Sequence, residues 1–140
     1  LNNTVYGFNQ QAVIDLHIND FASLTVLHWF KDFRDTGRMK CIDIDGKPYY
    51  WMNYNTLLED YPSLGMSEHS LVKGPIKKLV DAHVLEHKTL RKGGTFSCYA
   101  VGGNFEMLLK NVSTYKQGKP RSNHRHDEPE STVGKGEYLP

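Results

Sequence analysis

Residues 67–99 read SEHSLVKGPIKKLVDAHVLEHKTLRKGGTFSCY, and the fold turns on how this stretch divides. Ser67 suits a helix N-cap, because its hydroxyl can accept a hydrogen bond from a backbone N–H of the first turn. Beyond it Leu71, Val72, Ile76, Leu79, Val80 and Val84 recur at the spacing of a single helical stripe. HKTLRKGGTFSCYAV (87–101) then reads as a β-hairpin around Gly93-Gly94. A helix is therefore followed directly by a hairpin. Gly74-Pro75 interrupts that helix: an internal proline removes one N–H and crowds the carbonyl of Leu71, at a cost of ~3 kcal/mol. Either the helix bends at Gly74, or a short turn from Ser67 precedes a new helix with Pro75 near its first position. Leu71 and Val72 keep the apolar register through the break, which favours the bend.

Upstream, FNQQAVIDLH (8–17) places Ala12, Val13 and Leu16 on one helical face. Asn19 or Asp20 can cap a stronger helix carrying Phe21, Leu24, Leu27, His28, Trp29 and Phe30, which should stop near Thr36-Gly37. KCIDIDGKPYYWM (40–52) predicts a hairpin, with Asp45-Gly46 as a type I′ turn. NYNTLLEDYPSLG (53–65) predicts a short helix capped by Asn53 or Asn55 and closed by Pro62, and NFEMLLKN (104–111) a short closing helix. From Ser113 the chain is rich in Ser, Gly, Pro and charge and poor in apolar groups, so it cannot offset its ordering entropy. The expected organisation is one domain over 1–112 and a disordered linker or tail over 113–140, cut from a longer parent.

The 140 residues carry a net charge of only +1, and the mean hydropathy is −0.56. No run approaches the roughly 20 apolar residues of a membrane helix, and LNNTVYGFNQ resembles no secretory signal. A cytoplasmic location is expected, with Cys41 and Cys98 as reduced, half-buried thiols. Charge is unevenly distributed. Residues 1–60 hold five basic against eight acidic groups, and residues 61–112 hold seven against four. The cationic middle third is where a polyanion would bind.

Short helix, turn, longer helix, then hairpin is the order of a winged helix-turn-helix, in which the second helix enters the major groove and the hairpin, or wing, follows the backbone. The fold class expected is α+β, mainly helical, a winged helix-turn-helix with an extra N-terminal helix. Lys73, Lys77 and Lys78 lie on or near the helical face opposite the apolar stripe. Lys88, Arg91 and Lys92 line the wing, and Gly93-Gly94 lets its tip approach DNA closely. Ser67, His69 and Ser70 occupy the first helical turn, where phosphates or base edges are met. These eleven positions form the predicted DNA-binding set, together counted as one compact cationic surface. A lysine-bearing helix face is more often merely solvated, so element order rather than charge carries this reading.

YYWMNYNTLLEDYPSLGMSEHSLVKGPIKKLVDAHVLEHKTLRKGGTFSCYAVG (49–102), with the upstream WFKDF (29–33), resembles the N-terminal winged-helix domain of replisome-organiser proteins of phages and prophages of low-GC Gram-positive bacteria. The likeness covers residues 6 to about 110. It implies duplex DNA binding in replication initiation, and recruitment of host replication proteins through segments beyond this one. Relatives usually offer an arginine or lysine pair where this chain has Gly74-Pro75, which points to weaker or more shape-driven recognition. Two other uses of the fold compete: a transcriptional regulator, which could be a homodimer, and a protein-interaction module that leaves DNA alone.

No catalytic residue, metal site or cofactor is expected. His83 and His87, four apart, could share a helix face as metal ligands do, yet they lack the H-E-x-x-H order and a third ligand. Gly102-Gly103 follows a strand without the remainder of a nucleotide fingerprint. His124, His126, Asp127 and Glu128 fall in the polar tail. Trp29, Phe30, Phe33 and Trp51 read as core.

Overall fold

The computed structural model of the chain describes residues 3–109. The expected linker from Ser113, with its histidines and acids, lies outside the described residues.

The chain begins with a feature the sequence reading did not anticipate. Strands β1 (Thr4–Val5) and β2 (Phe8–Asn9) pair as a small hairpin, and its turn residues Tyr6 and Gly7 have φ of 54° and 81°. Asn9, read above as helical, instead caps helix α1 (Gln10–Asp15) by accepting from the Ala12 N–H at 3.0 Å. Helix α2 (Phe21–Asp35) is capped by Asp20, whose carboxylate accepts from the Ser23 N–H. It ends as expected at Thr36, with Gly37 left-handed at φ 77°. Strands β3 (Cys41–Ile44) and β4 (Lys47–Trp51) flank Asp45 and Gly46, both at positive φ, which is the type I′ turn expected. Helix α3 (Tyr54–Asp60) is capped by Asn53 and followed by a 3₁₀ turn at Pro62–Leu64.

The segment that decides the fold is one continuous helical run. Ser67 caps α4 (Glu68–Leu71), a π-helical turn spans Val72–Ile76, and α5 (Lys77–Asp81) completes it. The backbone is right-handed helical at both junctions, so no new helix starts at Pro75. Widening one turn to i→i+5 bonding resolves the proline problem. The Lys77 N–H reaches back to the Val72 carbonyl, and in the same geometry the N–H of residue 76 addresses residue 71, whose ordinary α-helical donor would have been the absent N–H of Pro75. Glycine at position 74 also lacks the Cβ that would crowd the proline ring in a helical conformation. Leu71, Ile76 and Leu79 are buried beneath this run; truncating any one to Ala would cost about 2–5 kcal/mol.

Strands β5 (Leu85–Arg91) and β6 (Thr95–Val101) form the second hairpin as expected. The expected closing helix contracts to a 3₁₀ turn at Phe105–Leu108. A four-stranded antiparallel sheet has the order β3-β4-β6-β5, joined at its centre by Tyr50↔Tyr99 and Trp51↔Cys98. Alternation along each strand assigns its faces. Tyr50, Leu85, Tyr99 and Val101 turn inward to the helices, and Phe30 meets Tyr50 edge to face at 6.1 Å. Tyr49, Trp51, Phe96, Cys98 and Ala100 form a second, smaller cluster on the outer face. Both cysteines are buried thiols outside any disulfide, more deeply placed than expected. The architecture is α+β, with helices outweighing strands.

Gly102 ties sheet to helix. Its N–H donates to Val84, the Asn104 N–H donates to the His83 carbonyl, and the Asn104 side-chain amide donates to Ala82. The carbonyls of Ala82, His83 and Val84, just past the end of α5, are thereby satisfied. A Cβ on Gly102 would stand 2.3 Å from the His83 carbonyl oxygen. Close packing, rather than a nucleotide, accounts for this glycine.

Candidate nucleic-acid interface

Helical phase decides which side chains of the α4–α5 run face outward. With Leu71, Pro75, Ile76 and Leu79 buried, Ser67, His69, Ser70, Lys73, Lys77 and Lys78 are all exposed. Ser67 is occupied as a cap: its hydroxyl accepts from the Ser70 N–H at 3.1 Å and contacts the Ser70 hydroxyl at 3.2 Å. The hairpin that follows projects a tip of Lys92, Gly93 and Gly94, where the Lys92 N–H donates to the Gly94 carbonyl. Arg91 and Lys92 are exposed beside it.

Exposure is not availability. Lys77 bonds Asp81 at 2.7 Å, an exposed i,i+4 pair of small energetic weight. Lys78 reaches across the fold to Asp20 at 2.9 Å, joining this helix to the N-cap of α2. Partial burial of Asp20 works against its ionisation, but the bonds from Lys78 and the Ser23 N–H outweigh it and hold the carboxyl below its usual range. Lys73, Arg91 and Lys92 have no ion-pair partner among the described residues. Those three are the cations poised for an external anion.

Lys88 corrects the single cationic surface expected from sequence. It stands three residues from Arg91 on β5, so the two side chains leave opposite faces of the strand. Arg91 shares the face of Leu85, which packs toward the helices. Lys88 lies over the Tyr49 ring at 5.9 Å on the outer face, beside a Lys47–Glu86 ion pair of 3.0 Å. The odd spacing could have revealed this in advance. The Asp20–Lys78 bond could not have been found that way, since it joins positions 58 apart.

The two histidines considered as ligands do not share a helix face. His83 is the left-handed residue (φ 60°) after the helix, and His87 lies on β5, stacked on Tyr99 at 4.7 Å. No described helix is long and apolar enough to cross a membrane. Comparison with protein-family models, characterised proteins and solved structures finds no match to this chain.

Proposed function

We propose that this chain is a winged-helix DNA-binding domain rather than an enzyme, with α3 and the α4–α5 run as the helix-turn-helix and β5–β6 as the wing. The observation that carries the reading is connectivity joined to charge. The helix bearing Lys73 runs directly into a hairpin that pairs with the earlier strand β4 and carries Arg91 and Lys92 at its tip. A solvated helix face accounts for the lysines but not for the glycine-tipped basic hairpin that follows them in the chain. Gly74 is exposed beside Lys73 but brings no donor side chain, and Pro75 is buried, so Lys73 stands alone on this turn and backbone and shape contacts outweigh direct base reading. The role that fits is replication initiation in a phage or prophage, as a replisome-organiser domain, in the cytoplasm of the host cell. Host replication proteins would be met through other segments.

Fluorescence anisotropy with a labelled random-sequence duplex tests the proposal. Wild-type chain should bind, and the combined Lys73→Ala, Arg91→Ala, Lys92→Ala variant should lose most of its affinity at unchanged melting temperature. Absence of binding by the wild type, or equal binding by the variant, removes DNA from this surface.

A further inference from the structure

A groove of about 830 Å³, lined by none of the residues assigned to DNA contact, opens between the C-terminal half of α2, the turn after it, and α3 with its end. Trp29, Phe33 and Tyr61 supply its aromatic wall, and Asp32 and Asp60 its exposed carboxylates. We infer that this groove is a docking site for a lysine- or arginine-bearing peptide segment of a partner protein. The inference stands apart from DNA binding and does not need it.

Three observations carry it. First, the groove already holds a guanidinium: Arg38 lies over the Phe33 ring, 5.5 Å from its centroid. A planar cation on an aromatic face is the contact such a wall favours. Second, two of its three carboxylates pair with no lysine or arginine among the described residues. Asp35, at the groove edge, is neutralised by Lys31 and Arg34. Asp32, by contrast, meets only His28 at 3.7 Å, and Asp60 accepts the Trp29 indole N–H at 2.8 Å; neither has a lysine or arginine partner among the described residues. Third, both act on one spot. Burial raises the Tyr61 hydroxyl above its ordinary pKa, and the Asp32 and Asp60 carboxylates push it further, so both negative charges are felt at the Tyr61 hydroxyl.

Aromatic and arginine contacts are the enriched chemistry of protein interfaces, and complementary charge sets their choice of partner. A nucleic acid would be repelled here. The α4–α5 side and this groove therefore select opposite charges, and one molecule can hold both ligands at once.

The probe is a fluorescein-labelled octapeptide alternating arginine and glycine, titrated into the full chain and compared with its glutamine-for-arginine counterpart. The arginine peptide should bind saturably and the glutamine peptide at least tenfold more weakly. Asp32→Asn with Asp60→Asn, which retains an acceptor for the Trp29 indole, should also lose at least tenfold, with duplex-DNA binding not diminished. Equal binding by that variant overturns the inference. As a readout independent of any variant, the Trp29 indole N–H resonance should move on adding the arginine peptide while that of Trp51 stays; an unmoved Trp29 signal also overturns it. The chain's own basic segment is the rival occupant. If Lys116→Gln, Lys119→Gln, Arg121→Gln and Arg125→Gln together tighten probe binding more than fivefold, the groove belongs to that segment and not to a partner.

Discussion

The salt dependence of duplex binding distinguishes a surface of three cations from one of six. Each phosphate neutralised releases counterions, so log K falls with log[salt] by about 0.9 per contact. If Lys73, Arg91 and Lys92 alone engage phosphates, the slope is about −2.7, and affinity drops about 40-fold between roughly 50 and 200 mM salt. If Lys77, Lys78 and Lys88 join them, the slope steepens to about −5.4 and the loss approaches roughly 1,800-fold. The structure favours the smaller value, because Lys78 holds Asp20, Lys77 holds Asp81, and Lys88 sits on the outer face of the sheet. Anisotropy titrations in potassium chloride read the slope directly. The Lys73→Ala substitution should flatten it by about 0.9, while Lys88→Ala leaves it alone. Asp20→Asn frees Lys78 and should steepen it by about the same amount. A wild-type slope near −5.4, or a Lys88→Ala effect equal to that of Lys73→Ala, would refute the division between engaged and available cations.

Three further expectations concern the fold. Gly102→Ala sets a new Cβ 2.3 Å from a backbone oxygen that cannot swing aside; overpacking and a lost hydrogen bond together should cost about 2–4 kcal/mol. A urea midpoint equal to that of wild type would show the contact to be slack. Asp20, with its carboxyl lowered from 3.8, contributes stability that is present above that value and drains as pH falls through the folded pKa. Asp20→Asn should flatten the acid limb of a stability–pH curve below about pH 4, and an unaltered limb would assign it to other carboxylates. Burial, with a smaller contribution from Cys41, pushes the Cys98 thiol up to about 11. It should resist thiol reagents at neutral pH until the protein unfolds, so rapid labelling of the native chain would place it at the surface.

What could be read in advance follows the range of the forces involved. Caps and turns depend on adjacent residues, so Asp20, Asn53, Ser67 and Asp45-Gly46 were legible. So were the two main hairpins and the helices between them. The N-terminal hairpin was not, because its turn puts Tyr6 at positive φ, a conformation for which tyrosine gives no signal. Pro75 announced a disturbance, but its form is set by what lies beneath: burial of Pro75 and Ile76 keeps the run together while one turn widens. At the candidate interface the positions and their exposure could be foreseen. Their partners could not, since the Asp20–Lys78 bond depends on how α2 crosses the later helix. The aromatic groove depends likewise on α2 meeting α3, and neither segment alone suggests it.

The widened turn at Val72–Ile76 also bears on chain length. It accommodates one residue more than regular winding would use, so it acts as a slack loop within a rod. Losing a single residue there would tighten the coil to ordinary pitch and leave the flanking faces in phase. Homologues one position shorter at this point could therefore keep the same outward row of side chains, and an alignment gap inside the helix would mark a change of winding rather than a change of fold.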